Sequence, residues 1–265
     1  MSFLGKLSGA AARNRSRVCV GLDPDPKRLP AHLRGGPNPV LTFLSEIVSA
    51  TQDLVCAYKP NFAFYGAMGM AGWETLEGTL SAVPDGLPTV LDFKAGDIGN
   101  TAEQYAHMAY GQLGVDAVTV NPLMGRDAVE PFTRYKDRCA FLLCLTSNPG
   151  SSDFQRLSTP SGLLYTEMAR KAVTWSQAGP CGLVVGATHP EELRQVRDLA
   201  PDLPFLIPGV GAQGGEAKAV VQNGLDHNGG GILVNASRSI LYASNGRDFA
   251  EAARRAAEEL RQALC

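Results

Sequence analysis

The chain has 265 residues, of which 45% are hydrophobic and 19% charged, an ordinary globular balance that suits one α/β barrel better than one sandwich. Its formal net charge is −2 at pH 7, so bulk charge excludes a basic nucleic-acid binder or a membrane-surface protein, and any anion must be held locally. It has no run of about 18 apolar residues, so no membrane span is expected.

The N-terminal stretch "MSFLGKLSGAAARNRSR" lacks the layout of a signal peptide, and a cytoplasmic protein is expected. Phe3, Leu4 and Leu7 fit a short amphipathic helix over residues 1–16. Eight apolar runs then follow: "RVCVGLD" (17–23), "VCAYKP" (55–60), "LPTVLDFK" (87–94), "DAVTVN" (116–121), "CAFLLCLT" (139–146), "GLVVGA" (182–187), "PFLIPG" (204–209) and "GILVNA" (231–236). Consecutive apolar residues, many β-branched, are the pattern of parallel strands buried on both faces. Helical segments separate them. "TAEQ" (101–104) and "THPE" (188–191) fit capping boxes. The last segment, 247–265, carries Phe249, Ala253, Ala256, Leu260 and Leu264 on one helical stripe.

Eight strands alternating with helices predict a (β/α)8 TIM barrel, with residues 17–246 as the barrel, in a single domain over 1–265. The open doubly wound sheet is disfavoured because "VGLDPDPKRLP" after the first run lacks G-x-G-x-x-G. Five of the six cysteines lie in or beside apolar runs and none forms C-x-x-C, so they read as small buried hydrophobes in a reducing compartment. The four histidines show no metal-ligand spacing, and no metal is expected.

In such a barrel the site lies at the C-terminal ends of the strands. There the sequence offers Asp23, Lys59, Asp92, Lys94 and Asp97, then Ser147, "PGVGAQGG" (208–215) and "NASR" (235–238). Asp92 and Lys94 are two apart and share a strand face, leaving Leu91 and Phe93 to the helices. Strands lie about 4.8 Å apart, so Lys59 can reach Asp92. The expected row is Lys59, Asp92, Lys94, with Asp97 near its end, and its alternating charges would keep both lysines protonated. The glycines of 208–215 let backbone N–H groups converge on an anion, and Arg238 leaves strand eight where its fork could clamp a phosphate.

"LDFKAGDIGNTA" resembles the D-x-K-x-x-D-I signature of the orotidine 5′-phosphate decarboxylase family. "AYKPN", "TSNPGSSD", "VVGAT", "PGVGAQGG" and "VNASR" resemble that family's other blocks, in order, over about residues 17 to 242, and suggest its second, longer subgroup. Ala95 stands where that subgroup often has arginine, and Ser237 where shorter members often have glycine. The resemblance implies cofactor-free conversion of orotidine 5′-monophosphate to UMP. It assigns Lys94 as proton donor, Asp92 as the carboxylate beside the scissile carboxyl group, and Lys59 as the bridge between Asp92 and the ribose. It implies a homodimer in which Asp97, Ile98 and Thr101 reach the neighbouring subunit's site. Asp23 would meet the ribose and Ser147 the pyrimidine. Gln213 and Arg238 would meet the phosphate and close the loop, with Pro208, Val210 and Gly211 beside them and residues 209–230 as the lid. Two other readings stay open: a magnesium-dependent decarboxylase of a keto-sugar phosphate on the same barrel, and a non-catalytic nucleotide-phosphate sensor.

Overall fold

A computed structural model describes residues 1–210 and 216–265. The barrel strands are β1 Val18–Leu22, β2 Ala57–Pro60, β3 Val90–Ala95, β4 Ala117–Val120, β5 Cys139–Leu145, β6 Cys181–Val185, β7 Phe205–Pro208 and β8 Ile232–Ala236. Each expected apolar run therefore forms a strand. They pair in parallel in the order β2-β1-β8-β7-β6-β5-β4-β3. Two isolated parallel bridges, Tyr58 to Thr89 and Asn61 to Asp92, join β2 to β3 and bring the ends of the sheet together. A short hairpin, Ser158–Thr159 with Gly162–Leu163, lies after β5.

The helices are α1 Phe3–Asn14, α2 Pro39–Thr51, α3 Phe62–Gly66, α4 Met70–Ala82, α5 Gly99–Ala106, α6 Arg126–Thr133, α7 Leu164–Ser176, α8 Pro190–Leu199, α9 Ala217–Gly224, α10 Arg238–Leu241 and α11 Phe249–Ala263. They lie outside the sheet, and the main core fills the space between the two layers with residues such as Leu22, Phe43, Leu91, Phe132 and Phe205. A second apolar cluster fills the barrel itself: Cys19, Ala57, Val90, Ala117, Phe141, Leu206 and Leu233. α1 closes its lower end. Phe3 packs edge-on against Phe141 at 5.6 Å between ring centroids, and the Lys6 ammonium pairs with Asp116 at 2.9 Å. Phe3 and Leu7 are buried, whereas Leu4 is 45% exposed; positions three and seven share a helical face that position four, about 100° round, does not.

Both expected capping boxes are corrected. α5 starts at Gly99, so Thr101 lies inside the first turn, and its N-cap Ile98 offers no side-chain acceptor. α8 starts at Pro190 behind His189. Thr188 is thus one residue too early to cap, and its hydroxyl is buried without a hydrogen-bond partner among the described residues. The final helix is as expected, with Phe249, Ala253 and Leu264 buried. Burial pushes the Cys19 thiol up to about 12 although Lys59 opposes it, so this group packs rather than reacts. The other strand cysteines are also buried and free, and Cys265 is exposed. Among the described residues no helix is long and apolar enough to cross a membrane, and no cluster of three or more His, Cys, Asp or Glu is placed to hold a metal ion.

Candidate active site

Side chains two residues apart on a strand share a face. One step above the apolar filling of the barrel, the inward positions are therefore Gly21, Lys59, Asp92, Thr119, Leu143, Pro208 and Asn235. Polar groups enter the barrel at this level. A cavity of about 360 Å³ opens above them, lined also by Asp23, Lys94, Ser147, Val210 and Arg238. A larger hollow of about 900 Å³ lies at the opposite end, beside α1 and residues 228–232, with Arg15, Arg17, Asp202 and Asp226 in its lining. Gly21 is required where it stands, because a Cβ there would collide with the Ser237 hydroxyl.

The charged row forms as expected. Lys59 Nζ donates to Asp92 Oδ2 at 2.9 Å, and Lys94 Nζ donates to Asp92 Oδ1 at 2.6 Å. The Lys59 side chain is 4% exposed and that of Asp92 12%, while Lys94 reaches into the mouth at 46%. Burial works against both charges of the inner pair. For Asp92 it is overcome by Lys59 and Lys94, which hold the carboxyl well below the usual carboxylate range. For Lys59 it is overcome by Asp23 and Asp92, which hold the ammonium above the usual lysine range. Leu91 and Phe93 face outward as expected: Leu91 is in the outer core, and Phe93 packs edge-on against Tyr105 and Phe132.

Asp92→Asn strands the buried Lys59 ammonium and should cost about 3 kcal/mol of stability at neutral pH. A carboxyl with a depressed folded-state pKa stabilises the fold above its unfolded value of about 3.9, and that contribution fades as pH falls towards the folded value. The stability gap between wild type and Asp92→Asn, measured by urea unfolding, should therefore narrow progressively from about pH 5 downwards. A gap that stays constant with pH would contradict the ion-pair account.

Of two further neighbours in the cavity, Thr119 escaped sequence reasoning and Asn235 was offered only within the block "NASR", with no role of its own. Thr119 donates to Asp92 Oδ1 at 2.9 Å and accepts from the backbone N–H groups of Phe93 and Lys94 at 3.1 and 3.0 Å. Asn235 on β8 is paired in register with Cys19 of β1. Its Oδ1, like Asp23 Oδ1, is buried with no hydrogen-bond partner among the described residues. A polar residue breaking an otherwise apolar run at an inward position, as in "DAVTVN" and "GILVNA", was the signal available.

Asp97, Ile98 and Thr101 do not line this cavity. Strand β3 ends at Ala95, and the turn carries the chain outward into α5. Asp97 accepts from the Ile98 N–H at 2.8 Å, Ile98 is 53% exposed, and Thr101 is exposed. The expectation that carboxylates flank Lys94 on both sides is therefore corrected for a single chain, where Asp92 is its one carboxylate partner among the described residues. Pro208 and Val210 lie at the rim, with Val210 buried. Arg238 opens α10 and is exposed, and among the described residues it forms no ion pair. Gly211 and Gln213, expected at the phosphate, lie outside the described residues, as does part of the expected lid over 209–230. Ala95 is buried at the end of β3, in register with Val120.

Comparison with known proteins agrees with this geometry. A family model described as "Orotidine 5'-phosphate decarboxylase / HUMPS family" matches residues 16–255. An orotidine 5′-phosphate decarboxylase of Aromatoleum aromaticum is 50% identical over 267 residues, covering 100% of this chain and 98% of the relative. The structure of Leishmania donovani OMP decarboxylase superposes with a TM-score of 0.86 at 39% identity, covering 100% of this chain and 99% of that one. The chain also matches Leishmania donovani UMP synthase with a TM-score of 0.88 at 42% identity, spanning all of itself and 56% of that longer chain.

Proposed function

Because this chain belongs to the orotidine 5′-phosphate decarboxylase / HUMPS family and decarboxylates orotidine 5′-monophosphate to UMP in pyrimidine biosynthesis, we propose that Lys94 is the group that makes the carbon–carbon cleavage possible. When the C6 carboxylate departs as CO2, the bonding pair stays on C6, in the plane of the ring. That pair cannot spread into the π system, so the charge must be met from outside. A fixed ammonium meets it electrostatically and then gives C6 its proton, leaving a neutral amine that solvent reprotonates. The observation that carries this reading is the Lys94 ammonium held 2.6 Å from Asp92, in a row whose inner members are buried and charged.

The remaining polar groups fit the rest of the nucleotide. Asp23 Oδ1 and Asn235 Oδ1, two buried acceptors without a partner among the described residues, suit ribose hydroxyl donors, and Lys59 stands between Asp23 and Asp92 in its electrostatics. Ser147, on the opposite side of the cavity, suits the polar edge of the pyrimidine. Arg238 at the mouth suits the phosphate, with Pro208 and Val210 beside it at the rim; Gly211 and Gln213, assigned to the same phosphate contact by the family resemblance, lie outside the described residues. Asp92, next to Lys94, would face the substrate carboxylate; its service is to hold the buried Lys59 ammonium charged and both lysines aimed before substrate arrives. Phosphate binding at the rim contributes remotely, by committing the nucleotide to the closed site.

A second subunit completes the site in this reading. Asp97, Ile98 and Thr101 point away from their own cavity, and Ile98, Tyr105, Leu123 and Met124 leave apolar surface exposed around the ends of β3 and β4, as a homodimer interface would. The buried free thiols suit a reducing compartment and a cytoplasmic protein.

Subunit mixing tests both the lysine and the sharing. Lys94→Ala and Asp97→Ala, each inactive alone, are expected to recover about a quarter of wild-type activity when mixed in equal amounts, since half the dimers are mixed and each holds one intact site. Following the absorbance change of orotidylate reads the result. No recovery would show that Lys94 and Asp97 serve the same chain's site.

A further inference from the structure

The pairing of β3 with β4 is irregular just where the reactive lysine stands. Leu91 is in register with Val118, and Ala95 with Val120. Strand β3 thus spends four steps where β4 spends two. Lys94, within the excess, has φ 49°, in the left-handed region that a side chain with a Cβ rarely adopts. Such a distortion also removes the ladder partners of the amides it contains, and buried amides need acceptors.

Thr119 supplies them. It sits on β4 between the two paired residues, and its Oγ1 accepts from the N–H of Phe93 at 3.1 Å and of Lys94 at 3.0 Å. Its hydroxyl proton goes to Asp92 Oδ1 at 2.9 Å, the same oxygen that receives Lys94 Nζ. A hydroxyl has one proton to give and two lone pairs to accept with, so all of its capacity is spent on the three residues Asp92, Phe93 and Lys94. Thr119 itself is 1% exposed, and no other side-chain group supplies an acceptor to these two amides among the described residues.

We propose that Thr119 is a positioning residue for the decarboxylation: its hydroxyl fixes the distorted end of β3, and with it both the direction in which the Lys94 side chain leaves the strand and the rotamer of the Asp92 carboxylate. This rests on the reading of Lys94 given above. Thr119 need not touch the substrate to act, since the ammonium must be aimed at C6 and a displacement of about 1 Å at a reacting group can cost about 100-fold in rate. Valine has the same branched shape but neither donates nor accepts, so it leaves two amides without their acceptor and takes from Asp92 Oδ1 one of its two donors, while keeping β4 packed. Serine keeps the hydroxyl and loses a methyl group.

The experiment measures kcat for orotidine 5′-monophosphate and Kd for UMP in Thr119→Val, Thr119→Ser and Lys94→Ala, with circular dichroism confirming folding. Thr119→Val is expected to lower kcat by about 100-fold with the Kd for UMP changed by less than about 3-fold, and Thr119→Ser to stay within about 5-fold of wild-type kcat. If the valine protein does not fold, Thr119→Ala is read in its place. A kcat within about 3-fold of wild type in the valine protein, or an equal loss of kcat and UMP affinity, would overturn the positioning role. So would a serine variant as slow as the valine one. Retained turnover in Lys94→Ala would overturn the reading beneath and this role with it. An inactive Lys94→Ala beside a near-normal Thr119→Val would overturn the Thr119 role alone.

Discussion

Replacing Lys94 by alanine is expected to reduce turnover by at least about 10⁴-fold, because the same ammonium both stabilises the developing carbanion and supplies its proton, two roles that are each worth orders of magnitude. Enzymes lower barriers by about 8–23 kcal/mol in all, and one group cannot supply the upper half of that range, so residual catalysis from positioning is compatible with the claim. Nucleotide binding should survive. Lys94 is the half-exposed end of the row, and its loss leaves the buried Lys59–Asp92 pair intact at 2.9 Å. UMP affinity measured by calorimetry should therefore stay within about tenfold of wild type. Full activity in Lys94→Ala would remove the mechanism altogether.

The second large effect concerns Arg238. Its guanidinium stands at the rim of the cavity, at the start of α10, without an ion pair among the described residues. A planar fork of donors facing the mouth matches two oxygens of a phosphate at once. Arg238→Ala is expected to weaken UMP binding by about 100-fold, the worth of charge-assisted hydrogen bonds to a phosphate, and uridine binding by less than about 2-fold. Lysine at 238 should restore only part of the loss, since a point charge cannot make the paired contact. Equal losses for nucleotide and nucleoside would show that the arginine holds the loop or the ring and not the phosphate.

Strand positions were legible because burial on both faces of a parallel sheet leaves a continuous apolar run, and each of the eight runs became a strand. The row of Lys59, Asp92 and Lys94 was legible for the same geometric reason: alternation along β3 and the fixed spacing between strands leave the three groups little choice. Helix starts were harder to place. α5 begins two residues before Thr101, since "TAEQ" satisfies a cap pattern without saying whether the chain has already turned. Asp97 carried two expectations. Sequence distance from Lys94 suggested a place near the end of its own chain's row, which the turn after Ala95 corrects by sending it outward, whereas the family resemblance had it reach a neighbouring subunit. Thr119 was missed, and Asn235 went without a role although "NASR" was singled out, because the meaning of a single polar residue in an apolar strand depends on which face it occupies and on what stands across the barrel. Sequence alone also left a keto-sugar phosphate decarboxylase and a nucleotide sensor standing, and full-length similarity to orotidine 5′-phosphate decarboxylases decides for the decarboxylation of orotidylate.

The helix that closes the lower end of the barrel has a consequence for traffic. With Phe3 seated against Phe141 and apolar side chains stacked above it, the chamber is a cul-de-sac. Orotidylate, carbon dioxide and UMP must all use one doorway, so departure of one guest is a condition for admission of the next. The same blind end means that whatever covers the doorway dries the chamber, since the apolar filling beneath it, Cys19 to Leu233, stands between the carbanion and water below.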